Sequence, residues 1–333
     1  MASLALRWSH LRYRLAVFPE LVALISFLVV FLFFAAFAPN FLSPVSVSNM
    51  LTFGSNLGII VIGVAILMIS GEFDLSVGSN FAVASYVFAL SLNAGIPPVA
   101  AMLLALVVST FLGFLNGAIV IWGGIPSFIA TLGTMLAYRG IARALGGSDF
   151  VKYTGDPPLL FNVLNGPLTR LNELSQPAGN FRMSIIWFFL LALLMSMIMT
   201  RARWGNWIYA VGGHSGAALA QGVPVRRVKL SAFMLTGFLV GLAGVMQFAM
   251  RTSIDPIRGE GWELLAVAGA VIGGVSLTGG AGTVVGACLG ILLLQMLDQG
   301  LLLMGLSVDI FRGVAGLILM LSVVINHYLS RFD

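Results

Sequence analysis

Charge is what this 333-residue chain lacks most. Only 9% of its side chains are Asp, Glu, Lys or Arg, against about 25% in soluble domains. So few cannot cover a surface wetted on all sides, so a soluble module and a nucleic-acid partner are excluded and an all-α integral membrane protein is expected. Cysteine is nearly absent too: Cys288 stands alone in an apolar run, so no intrachain disulfide can form and the thiol reads as packing. Three histidines, without HExxH or CxxC spacing, give no metal site. No nucleophile–base constellation suggests an enzyme. No GxxxxGK[ST] occurs, so nothing here cradles the phosphates of ATP.

What fills the chain instead is long apolar runs. They fall at about 20–38, 51–70, 80–94, 99–122, 127–145, 184–200, 228–249, 263–276, 283–304 and 308–326. A crossing needs ~20 residues, so the third and eighth are short. The first run follows Arg7, Arg12 and Arg14 and ends in Ala36-Phe37-Ala38, like a signal peptide. Its length exceeds a secretory core, so it reads as a retained first helix. Ten spans put both termini on one side, and loop charge says which. Segment 201–229 carries Arg201, Arg203, Arg226, Arg227 and Lys229 and no acid, whereas 146–183 is neutral and 251–263 has a net charge of −1. The positive-inside rule then puts 201–229 and both tails (1–19 and 327–333) in the cytoplasm, with 146–183 outside. Spans 2–5 and 7–10 become two inverted four-helix groups within a 20–326 transmembrane domain, the usual build of a transporter core.

Glycine is abundant, at 39 residues, and clusters in spans, as in Gly237-x-x-x-Gly241 and Gly286-x-x-x-Gly290. Small residues let helix backbones approach in lipid. The turn Gly279-Gly280-Ala281-Gly282 reads as a hairpin or re-entrant break.

Three segments carry a specific likeness: "GEFDLSVGS" (71–79), "IPSFIATLGTMLAYRGIA" (125–142) and "YAVGGHSGAALAQGVPVRRVKLSAFMLTGFLVGLAGV" (209–245). With them the chain resembles, over roughly 20–326, the permease subunit of bacterial ABC importers for simple sugars. This is the ribose-type branch that also holds autoinducer-2, xylose and galactose permeases. The resemblance implies a multi-pass subunit of the bacterial inner membrane that imports a monosaccharide or similar small polar solute. It also implies a second permease chain, a periplasmic substrate-binding protein and cytoplasmic ATPase subunits, which bind the ATP and Mg; no cofactor belongs to this chain. A coupling helix on the ATPase is implied around Gly212, Gly213, His214, Ala217, Ala218 and Gly222. Gly216 and Leu219 depart from the family's usual acidic and basic residues there.

The carboxylates of 71–79 pose a separate question. Burying one in hydrocarbon is costly, so it marks a helix end or a functional group. Gly71 can end one helix in the left-handed conformation, and Asp74 or Ser76 can cap the next. A second reading stays open, in which Glu72, Asp74 or Asp298 titrates in an ion-coupled secondary transporter. Asn56, Asn116, Thr131, Gln247 and Asp298 interrupt apolar runs and are candidates for the translocation path or chain interface. Arg139, Arg251 and Arg258 are candidates for docking the binding protein; the other reading of Arg139, with Arg143, is snorkelling to the interface. Glu263 and Asp309 read as helix caps.

Overall fold

The computed structural model describes residues 19–147 and 149–306, with 310–311, 313–314, 316–317 and 320. The expected cytoplasmic tails, the basic residues Arg7, Arg12 and Arg14, and Asp309 lie outside the described residues, as does most of the tenth run.

Helices dominate. In chain order they are α1 (Pro19–Phe37), α2 (Pro44–Ile69), α3 (Val77–Asn93), α4 (Pro98–Gly123) and α5 (Ser127–Leu145), then the short α6 (Leu159–Asn165) and α7 (Thr169–Leu174). After these come α8 (Met183–Arg201), α9 (Arg203–Ala220), α10 (Val225–Arg251), α11 (Trp262–Ile272) and α12 (Val284–Leu303). Two two-residue strands, β1 (Val151–Lys152) and β2 (Ser253–Ile254), pair antiparallel. Among the described helices α2, α4, α8, α10 and α12 are long and apolar enough to cross a membrane. Their starts follow from local chemistry. Proline opens α2 and α4, where its missing N–H is no loss, and the Ser43 and Thr283 hydroxyls cap α2 and α12.

The two short runs have a structural meaning. Helix α2 has 26 residues and α10 has 27, about 40 Å each at 1.5 Å per residue. The helices that follow them, α3 and α11, have 17 and 11. Asn80 in the first turn of α3 bonds Ser109, halfway along α4, through Nδ2 to the carbonyl oxygen (3.1 Å) and by accepting from Oγ (2.9 Å). Ser109 Oγ also donates to the carbonyl of Gly237, halfway along α10 (2.6 Å). Helix α3 therefore starts at mid-depth, after a non-helical stretch at 70–76. The stretch 252–261 brings the start of α11 to the same place, where Trp262 lies 4.8 Å from Phe81 of α3.

The inversion is visible in the packing of the helices that lead each group. Helices α2 and α10 run antiparallel: Glu72 just beyond α2 meets Lys229, Gly63 accepts from Thr236 Oγ1 (3.0 Å), and Asn165 bridges Asn56 to Met246. Helix α10 packs on α4 as α2 packs on α12. Glycines set the first interface: a Cβ at Gly237 would lie 3.2 Å from the Gly113 Cα, and one at Gly241 would lie 2.6 Å from the Ser109 Cβ. Helix α2 is buried along nearly its whole length. Large exposed apolar side chains gather on α1, α4, α5 and α8, among them Leu28, Val107, Leu136 and Leu193, as a lipid-facing surface requires.

Candidate functional site

Three backbones converge where α2 ends. Gly71 adopts φ 85° after the last turn of α2, and its N–H donates to the Met68 carbonyl (2.9 Å). The Ile69 carbonyl is left for a partner outside the helix, and the Gly280 N–H supplies it at 2.9 Å. Gly212 of α9 lies against the same two groups so closely that any Cβ there would overlap the Ile69 carbonyl. A Cβ at Gly279 would lie 2.8 Å from the Gly71 Cα, and one at Gly280 would lie 2.6 Å from the Gly213 Cα. Gly279 and Gly280 hold φ of 85° and 73°, which side-chain-bearing residues rarely adopt. Tyr209 Oη adds a bond to the Gly282 carbonyl (2.9 Å). One piece of α9 thus touches the end of α2 in the first group and the loop before α12 in the second.

Just beyond this junction α9 breaks. His214 has φ −155° and ψ 92°, outside the helical region, and its Nδ1 accepts from the Ala217 N–H (3.0 Å), capping the short helix that follows. Of the predicted coupling residues, Gly213, His214, Ala217 and Gly222 are exposed, Gly212 is half-buried, and Ala218 points into the core. Gly222, at φ 80°, ends the segment. Leu219 is 64% exposed, and Arg226 and Arg227 are exposed as well.

The stretch at 70–76 is pinned from α4, α5 and α10. Asp74 accepts from the Ser76 N–H (2.8 Å), from Ser76 Oγ (2.7 Å) and from Asn116 Nδ2 (3.1 Å). Asn116 Oδ1 in turn accepts from Tyr138 Oη (2.9 Å). The Phe73 and Leu75 N–H groups donate to Ser127 Oγ and Thr131 Oγ1 at 3.0 and 3.1 Å. Ser76 occupies the N-cap position of α3, but its hydroxyl turns to Asp74 and Asn116 rather than to the helix. Asp74 supplies the turn before the helix instead. Glu72, with its side chain 10% exposed, forms an ion pair with Lys229 near the start of α10.

Other predicted residues stand elsewhere. Asn56 is buried, donating to the Thr52 carbonyl (2.9 Å) and accepting from Asn165 of α6. Gln247 is buried on α10, and Asp298 is half-buried on α12, apart from the junction. Arg139 donates to the carbonyls of Arg258 (2.8 Å) and Pro256 (3.3 Å), and Arg143 pairs with Glu260 (3.2 Å). Arg258 holds Asp255, and Arg251 lies over the Phe53 ring at 5.9 Å. Arg182, before α8, donates to the Asn165 carbonyl (3.0 Å). Burial, with nearby Arg251 adding repulsion, lowers its pKa. Glu263 accepts from the Gly261 N–H at 3.2 Å in the first turn of α11.

Sequence reasoning missed Lys229, Tyr138, Ser127 and Ser109 as parts of the site. Lys229 had a signal: it is the last base of 201–229, at the mouth of a span, and Glu72 is the first acid after α2. The hydroxyls had none, since Ser, Thr and Tyr within apolar helices look alike until the neighbouring helix is placed.

A family model described as branched-chain amino acid transport system / permease component matches residues 46–323. Over 303 residues, 90% of this chain and 83% of the relative, the chain is 33% identical to the autoinducer 2 import system permease protein LsrC of Salmonella typhi. Over 310 residues, 92% of this chain and 94% of the relative, it is 31% identical to the ribose import permease protein RbsC of Escherichia coli strain K12. No solved structure matches.

Proposed function

Because the chain belongs to this family of transport-system permease components, we propose that it is the membrane-spanning subunit of a binding-protein-dependent ABC importer for a monosaccharide or similar small polar solute. The likeness to a ribose and an autoinducer 2 import permease over nine-tenths of the chain carries this reading. The chain performs no covalent chemistry. ATP and Mg bind cytoplasmic ATPase subunits, a second permease chain completes the path, and a soluble binding protein delivers the solute and sets most of the selectivity.

Loop charge supports an inner-membrane orientation with α9 and both termini in the cytoplasm. The exposed side of segment 213–222 then faces the ATPase. Force applied there reaches Gly212 across the His214 break, and from Gly212 it reaches Ile69 and Gly280 at once. Of the carboxylates of the ion-gradient alternative, Glu72 is paired with Lys229 and Asp74 is enclosed by hydrogen bonds, which leaves it the half-buried Asp298 of α12.

The test is reconstitution of the chain with its ATPase, partner permease and binding protein in vesicles, with ribose and other monosaccharides as solutes. Uptake that follows ATP hydrolysis and needs the binding protein is expected. Uptake by the chain alone, driven by a pH or salt gradient, would overturn the reading.

A further inference from the structure

Each non-helical stretch before a half-length helix carries a glutamate that reaches across to the other inverted group. Glu72, in the stretch before α3, meets Lys229 of α10. Glu260, in the stretch before α11, meets Arg143 of α5 (3.2 Å), with Arg139 Nε at 4.0 Å. The two pairs sit on opposite sides of the mid-depth contact: Lys229 is near the start of α10, whereas Arg143 is in the last turn of α5 and the Glu260 stretch follows the far end of α10. Between them, at mid-depth, the groups meet in tight contact. A Cβ at Gly78 would overlap the Gly259 carbonyl, one at Gly259 would lie 2.7 Å from the Gly78 carbonyl oxygen, and Phe81 packs on Trp262.

We propose that these pairs are alternating latches: Glu72–Lys229 closes the path at the α9 end, Glu260–Arg143/Arg139 closes it at the opposite end, and transport opens one at a time. The proposal rests on the permease reading and extends it. Glu72 is tied to the last turn of α2 through its N–H to the Leu67 carbonyl (3.2 Å). Its pair therefore opens when that end of α2 moves with Gly212 away from α10. Glu260, by contrast, lies in a turn outside any helix and can move with that turn. In this structure both latches are closed. The Gly78–Gly259 contact cannot loosen toward either end until the pair at that end separates. The ends differ in strength. The Glu72 and Lys229 side chains are 10% and 19% exposed, whereas Glu260 and Arg143 are about half exposed, so the first pair interacts in a lower dielectric.

The test uses the full chain assembled with its partner subunits, with Cys288→Ser removing the native thiol and Ser79→Cys as reporter. Ser79 is fully buried, beside Gly78. A membrane-impermeant maleimide is applied to vesicles of each orientation, first without ATP and then with it. Glu260→Gln is expected to speed labelling several-fold from the face opposite α9 only, and Glu72→Gln from the α9 face only. Unchanged rates in both variants, or both variants opening the same face, would overturn the latches. Should Glu72→Gln fail to assemble, the exchange Glu72→Lys with Lys229→Glu is expected to restore assembly and parental labelling, and its failure counts against the proposal. Side-specific labelling without any response to ATP keeps the latches and removes the importer reading.

Discussion

The stretches at 70–76 and 252–261 do the same job in opposite groups, yet they are held differently. The first is sealed inside the molecule: Asp74, Asn116, Thr131 and Ser76 are buried, and side chains from α4 and α5 meet its carboxylate and backbone donors. The second is tied at the rim, through Arg139 to two carbonyls, through Glu260 to a half-exposed arginine, and through the β1–β2 pairing to the 146–183 loop. The difference teaches that the two ends are not mechanically equal. The stretch beside α9 is bonded to the end of α2 and moves as a body with it. The other has Arg139 as its enclosed tie, while its Glu260–Arg143 pair is about half exposed and water competes for it.

Four substitutions sharpen the contrast. The largest effect is expected from Lys229→Met, which leaves Glu72 enclosed without its partner and destabilises by about 3–5 kcal/mol. Thermal unfolding of the detergent-purified chain measures it, and a parental melting temperature would remove the sealed end from the account. Gly212→Val comes next. A side chain there overlaps the Ile69 carbonyl, a backbone clash costing roughly 1–3 kcal/mol. ATP hydrolysis in the complex should persist while uptake falls away; coupled uptake at the parental rate would contradict this. Asn116→Leu takes a donor from Asp74 and leaves Tyr138 Oη without that acceptor, an expected loss of about 1–3 kcal/mol, read as reduced thermal stability. Arg143→Ala, at the exposed end, should cost no more than about 1 kcal/mol, and that little should shrink further in high salt.

Much of this was legible in the letters, for definite reasons. Nearly continuous apolar runs mark helices because lipid offers no partner for a free backbone group, so α2, α4, α8, α10 and α12 fall where the runs were. The shortness of the third and eighth runs was legible as well. What it meant was not, since only the bond from Asn80 to Ser109 fixes the start of α3 at mid-depth. Gly71 and the Gly279–Gly282 turn were readable as breaks from glycine's conformational freedom. That both meet Gly212 depends on which backbones come together, which no spacing records. Asp74 was readable as an element of a helix start; its Asn116–Tyr138 chain spans α4 and α5 and leaves no periodic trace. Arg139 and Arg258, candidates for an external partner, face Pro256, Glu260 and Asp255 within the chain.

The account stands on α9 being gripped from the cytoplasm at its exposed end. Ala217→Cys in a Cys288→Ser background, treated in membranes with a short thiol-to-amine cross-linker, tests this directly. The predicted result is a covalent adduct between this chain and the ATPase subunit. Labelling of the same cysteine only from the binding-protein side, with no ATPase adduct, would contradict it.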